Sequence, residues 1–155
     1  MSGAARRLAE HEWFLVGDDE IVIRKYPGED DYMVFEGRIQ PGGGPPTLHT
    51  HRSSELFYTL AGELTYFVQR ADGSLDAIGG PPATTAFIES GAVHTYRNLG
   101  SEEARYIAVV RPGTDLAAFF NEAAVGVGDP RRAPEEIDRI YAAYGEVTDI
   151  DPARA

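Results

Sequence analysis

Short apolar segments alternate with polar turn residues along the first two thirds of the chain. Strand-length segments fall at 13–16 (WFLV), 20–25 (EIVIRK), 32–39 (YMVFEGRI), 55–60 (ELFYTL) and 63–70 (ELTYFVQR). They continue at 75–78 (LDAI), 84–88 (TTAFI), 93–98 (VHTYRN) and 104–110 (ARYIAVV). The gaps hold Gly17-Asp18-Asp19, Pro41-Gly42-Gly43-Gly44, Ala61-Gly62, Asp72-Gly73, Gly79-Gly80-Pro81-Pro82 and Ser90-Gly91, residues that supply tight or left-handed turns. Many short strands at this spacing predict an all-β antiparallel sandwich or barrel.

The period changes after Pro112. GTDLAAFFNEAA opens with Thr114 as a helix cap and continues through good helix formers. APEEIDRIYAAYG has Pro134 at a helix start, acids in the first turn and Gly145 at the end. Ile137, Ile140, Tyr141 and Tyr144 recur at helical spacing, which predicts one face packed on the barrel and Asp138 and Arg139 left in water. The GVGDPRRA stretch between the two helices reads as a loop. The expected organisation is one domain over 1–155, a barrel at about 12–112 and a helical tail at about 113–155.

Composition removes several function classes. With 25 acids against 14 bases the net charge is −11, and no basic stripe exists to replace nucleic-acid counterions or to seek an anionic membrane surface. The absence of cysteine excludes disulfides and thiolate chemistry. No apolar run has the length of a signal peptide core or a membrane span, so the expectation is a cytoplasmic protein. The WFLV and EIVIRK segments, read as sheet edges needing cover, predict a homodimer.

Two of only four histidines stand in HTHRSSELFYTLAG, residues 49–62, beside an acid. On a strand, His49 and His51 share a face and can converge on one ion. Glu55 lies four residues on, ~13 Å along a straight strand, against a metal–ligand bond of about 2 Å. The chain must therefore turn at the polar Arg52-Ser53-Ser54 segment for Glu55 to reach back. His94 enters a strand just past Gly91, and an antiparallel fold can bring it beside His49. His11 lies outside any motif and reads as surface.

These residues carry a resemblance. Gly43, His49-x-His51, Glu55 and Gly62 match the first motif of the cupins at every fixed position, and Gly91-x2-His94-x3-Asn98 keeps part of the second. Ala83 stands where a glycine is usual and Glu89 where a proline is usual. The match runs over roughly residues 30–112. FEGRIQPGGGPPTLHTH and the tail ending IYAAYGEV are similar to single-domain cupins akin to quercetin dioxygenase. The resemblance implies a double-stranded β-helix, the cupin jelly-roll barrel, with His49, His51, Glu55 and His94 as metal ligands.

Three imidazoles and a carboxylate suit one divalent first-row metal (iron, nickel, manganese or zinc) with open positions for a ligand. The implied activity is a metal-dependent oxygenase on a phenol or enediol. The alternatives are a redox-neutral isomerase, cyclase, dehydratase or lyase, or a binding protein without turnover. Glu55 and Tyr96 are the candidate catalytic residues, because Tyr96 shares His94's face and a phenol can bond a substrate oxygen. Phe57 and Thr59 share Glu55's parity and are expected to line the cavity or fill the core; Tyr58 faces the other way, toward a partner. Glu36 and Arg38 belong to a solvated face unless that face is the lumen. Asn98 reads as a strand-end hydrogen bonder and Glu89 as a turn residue.

Overall fold

The computed structural model describes residues 11–148. Clean alternation of buried and less buried positions runs along β3 (Met33–Ile39), β5 (Ser54–Ala61) and β10 (Ala104–Arg111), so each turns one face to the core. In chain order the remaining strands are β1 (Phe14–Val16), β2 (Asp19–Lys25), β4 (His49–Thr50), β6 (Leu64–Gln69), β7 (Leu75–Gly80), β8 (Thr85–Ile88), β9 (His94–Arg97), β11 (Val125–Gly126) and β12 (Glu146–Val147). Helices α1 (Thr114–Ala123) and α2 (Pro134–Tyr141) flank β11.

Two antiparallel sheets face each other. One runs β11-β1-β2-β3-β10-β5-β8 and the other β12-β4-β9-β6-β7. This is the antiparallel sandwich expected from the strand pattern, in the jelly-roll form that the resemblance implies. One apolar cluster joins barrel residues such as Phe35, Phe57 and Tyr106 to Phe119, Phe120, Ile137 and Tyr141 of the tail. Among the described residues no helix is long and apolar enough to cross a membrane.

Gly62 shows why the turns need their residues. Its φ is +66°, and a Cβ there would lie 2.4 Å from the Glu103 carbonyl oxygen. Ala83 adopts the same left-handed conformation, φ +66°, at the position where glycine is usual in the resembling family.

Several expectations are corrected. The GVGDPRRA stretch is not wholly a loop: its first residue, Gly126, pairs with Phe14, next to Val125 paired with Leu15. That pairing covers β1, and β2 lies between β1 and β3, so neither N-terminal strand is an edge needing a partner. Thr114 is the first helical residue, not the cap; the Asp31 carboxylate accepts from the backbone N–H groups of Gly113 and Thr114 and from the Thr114 hydroxyl. Asp138 does not stand free in water, since it accepts from Thr47 Oγ1 at 3.1 Å. Ile137 and Tyr141 are the buried residues of α2, with Ile140 and Tyr144 partly buried against the same core.

Across β2, β3 and β10 the outer face of the larger sheet is charged and paired. Glu36 accepts from Arg24 and Arg105, and Arg38 stacks 3.8 Å over the Trp13 ring. Glu36 and Arg38 are thus on the solvated face, not in the lumen. His11 and Glu89 are exposed, as expected.

Candidate metal centre

Strand β4 is only two residues long, yet its neighbours fix it firmly: His49 pairs with His94 on β9 and with Val147 on β12. After His51 the chain turns. Ser53 Oγ donates to the Pro112 carbonyl at 2.6 Å, Ser90 Oγ donates to the Arg52 carbonyl at 2.5 Å, and Arg52 pairs with Asp115. This turn sends β5 back with Glu55 at its second position.

His49, His51 and His94 consequently present nitrogens that all lie within 4.8 Å of one another. Glu55 joins them, one oxygen 3.0 Å from His94 Nε2 and the other 3.6 Å from His51 Nε2. His49, Glu55 and His94 are buried and His51 nearly so.

The three Nδ1 atoms share an arrangement. His49 Nδ1 lies 3.2 Å from the Thr47 carbonyl, His51 Nδ1 2.9 Å from that of Ser53 and His94 Nδ1 2.8 Å from that of Ala92. A carbonyl only accepts, so each Nδ1 carries the hydrogen and each neutral ring turns its Nε2 lone pair to the centre. His51 Nε2 is buried without a hydrogen-bond partner. Lone pairs of nitrogen and carboxylate oxygen crowded in a dry site repel unless a proton or a cation lies between them. The donor set therefore fits a metal ion, with backbone carbonyls orienting the rings behind it.

Electrostatics agree. Burial and the neighbouring histidines push His49 down to about 3, so it stays neutral. Burial raises Glu55, but hydrogen bonds and charge from His51 and His94 outweigh that and hold it well below the usual carboxylate range. Burial likewise opposes a charged His51, and Glu55 overcomes it and raises its pKa.

Above these four side chains lies a cavity of about 110 Å³, several times the ~10–15 Å³ that one water needs. Val16, Ile21 and Phe35 of the larger sheet form one wall; Leu116, Phe119, Phe120, Ile137 and Tyr141 of the tail close it. Phe57 and Thr59, fully buried, do not line this cavity and fill the barrel interior instead. Tyr96 does line it, but its hydroxyl is engaged, donating to Asp19 Oδ2 at 3.2 Å and lying 3.2 Å from the Tyr106 hydroxyl. Asn98 is structural: its amide donates to the Ile39 and Glu102 carbonyls and its oxygen accepts from Gly100.

Two cavity residues escaped the reading of the sequence as site residues. Asp19, written into a Gly-Asp-Asp turn, is buried with Oδ1 unpartnered. Its parity with Ile21 and Ile23 on β2 was the available signal. Burial, abetted by Asp18 and resisted by Tyr96 and Arg97, raises its pKa to about 7. Tyr141 packs on the barrel core as predicted, and its ring also lies 5.0 Å from His49 and 6.4 Å from His51.

The cupin domain family matches residues 35–110, which include all four clustered residues. Together with the two-sheet fold, this match supports membership of the cupin superfamily. Among curated proteins no sequence matches this chain. Solved structures resemble it in fold. An S161A mutant of Bacillus subtilis oxalate decarboxylase aligns at TM-score 0.55 and 20% identity, over 64% of this chain and 26% of that one. An oxalate oxidase in complex with the substrate analogue glycolate gives 0.55 and 17%, over 83% and 73%. Peruvianin-I, a cysteine peptidase from Thevetia peruviana latex, gives 0.54 and 18%, over 66% of each chain. The matched segment is about a quarter of the decarboxylase's length. These likenesses concern the fold alone, and their named activities differ.

Proposed function

We propose that this chain is a metal-dependent cupin enzyme acting on a small organic molecule, with His49, His51, Glu55 and His94 holding one divalent iron, nickel, manganese or zinc ion. The observation that carries the reading is the convergence of three Nδ1-anchored imidazoles and a buried carboxylate on the floor of a largely apolar cavity. A bound ion of this kind supplies Lewis acidity and open positions for an oxygen ligand. The chain's own residues do the rest. The Thr47, Ser53 and Ala92 carbonyls fix the ring orientations, and Phe35, Phe119 and Phe120 exclude water. Tyr96 orients the Asp19 carboxyl at the cavity wall.

Within that class we assign a quercetin-dioxygenase-like oxygenase on a phenolic or enediol substrate. The support is the likeness of residues 35–51 and the tail to such proteins, and a cavity walled by aromatic rings that suits a flat molecule. An oxygen electrode tests it with iron-, nickel- or manganese-loaded protein and quercetin or catechol. Oxygen uptake that His51→Ala abolishes is expected; no uptake with any of the three metals removes the oxygenase assignment.

A redox-neutral lyase or isomerase is the second reading, and Asp19 favours it. A carboxyl with a pKa near 7 in the same cavity suits proton transfer at neutral pH. Turnover without oxygen uptake, lost in Asp19→Asn, would select it.

A further inference from the structure

The tail places one side chain at the ligand cluster that lies outside the family-matched segment. Tyr141 ends α2, and its position is fixed from both sides. Ahead of it, Ile137 is buried against the barrel core. Behind it, Gly145 passes so close to β4 that a Cβ there would lie 2.4 Å from the Thr50 carbonyl oxygen. The next two residues pair with β4 itself, Glu146 with Thr50 and Val147 with His49, and Thr148 N–H donates to the Leu48 carbonyl. The tail is thus fastened to the strand that bears His49.

Between these anchors the Tyr141 ring stands edge-on to His49 and His51 and packs on Phe119 at 4.7 Å. The side chain is only 7% exposed, and its hydroxyl has no hydrogen-bond partner. A buried hydroxyl left unpaired costs free energy that a phenylalanine would avoid. Tyr141 lines the same cavity as His49, His51 and Glu55, so a molecule bound there can take up the missing bond.

We infer that Tyr141 is a substrate-binding residue whose hydroxyl donates a hydrogen bond to an anionic oxygen (phenolate, enolate or carboxylate) of a small molecule seated against the histidine cluster. This role rests on the proposed reading of that cluster as a metal site open to an oxygen ligand. It assigns to the tail a share in choosing the substrate, and it favours oxygen anions over neutral ethers of the same shape.

The test uses the zinc-loaded 155-residue chain, wild type and Tyr141→Phe, with nitrocatechol as a coloured probe and elemental analysis in parallel. The phenylalanine variant keeps the ring packing, should keep its zinc and, freed of the unpaired hydroxyl, should melt no lower than the wild type. It should bind nitrocatechol about tenfold to a hundredfold more weakly, the loss expected of one charge-assisted hydrogen bond. Equal probe affinity in the two proteins at equal zinc content would overturn the role and leave the metal reading standing. Loss of zinc in the variant would also overturn it, by making Tyr141 a support for the ligands. A wild-type protein that holds zinc and takes no probe would sink the oxygen-ligand reading and this role with it.

Discussion

Replacing Asp19 by asparagine should change how stability depends on pH. The carboxyl is buried, receives one hydrogen bond, from Tyr96, and leaves Oδ1 without a partner. Its pKa rises from 3.8 to about 7, chiefly through burial. In the unfolded chain the group ionises near 3.8, while in the folded protein it keeps its proton until about 7. Between those values the unfolded state binds fewer protons, so its contribution to stability is full below pH 3.8 and falls as pH rises. At about 1.36 kcal/mol per pKa unit, the loss reaches about 4 kcal/mol above pH 8. Asparagine does not titrate and mimics the protonated acid. His49, whose pKa falls to about 3, works in the opposite direction, with stability lost as pH drops below its ordinary value. That contribution is common to both proteins and cancels in their difference. Urea unfolding of wild type and Asp19→Asn from pH 4.5 to 8.5 should give stabilities that differ by only about 1 kcal/mol at the acid end. At the alkaline end the variant should be ahead by several kcal/mol. A difference that stays constant with pH, or a wild type that gains on the variant, would refute the buried-acid account.

Ala83→Gly should stabilise the protein by about 0.5–1 kcal/mol, since a left-handed alanine costs ~1–2 kcal/mol and glycine returns part of that through unfolded-state entropy; an unchanged urea midpoint would count against strain there. Ile137→Asp removes apolar burial worth roughly 1.5–3 kcal/mol and puts a charge against the core, so limited proteolysis should cut the tail while metal content holds. Loss of metal together with the tail would mean that the pairing of His49 with His94 on β9 does not hold β4 in place without β12. Leu56, Tyr58 and Leu60 on β5 stand exposed beside Phe87 on the edge strand β8, and we propose that this face joins two copies. Sedimentation should show a dimer that Tyr58→Lys weakens, and a monomeric wild type at micromolar concentration would end that proposal.

The sequence and the structure agree where local pattern carries the information. Nine strands could be read from apolar runs set between turn residues, and alternation leaves a clear period of two along the longer ones, such as Met33–Ile39. The clustering of His49, His51, Glu55 and His94 could be read because they sit at motif spacings. Strands β4, β11 and β12, two residues each, could not be read, since two residues have no period and exist only through partners such as Leu15 and Thr50. Parity put Tyr96 on the cavity face, but nothing local announced that Asp19, 77 residues away in sequence, would take its hydroxyl. Helical spacing turned Tyr141 toward the barrel; which part of the barrel it met was decided by the pairing of β12 with β4.

The account stands most directly on where a metal binds. Crystals of the purified, metal-loaded protein, measured on and off the absorption edge of that metal, locate the ion by its anomalous signal. One peak per chain is expected, with His49, His51 and His94 Nε2 and a Glu55 oxygen each about 2.0–2.2 Å away. A peak elsewhere, or a cluster that stays empty in protein holding stoichiometric metal, would contradict it.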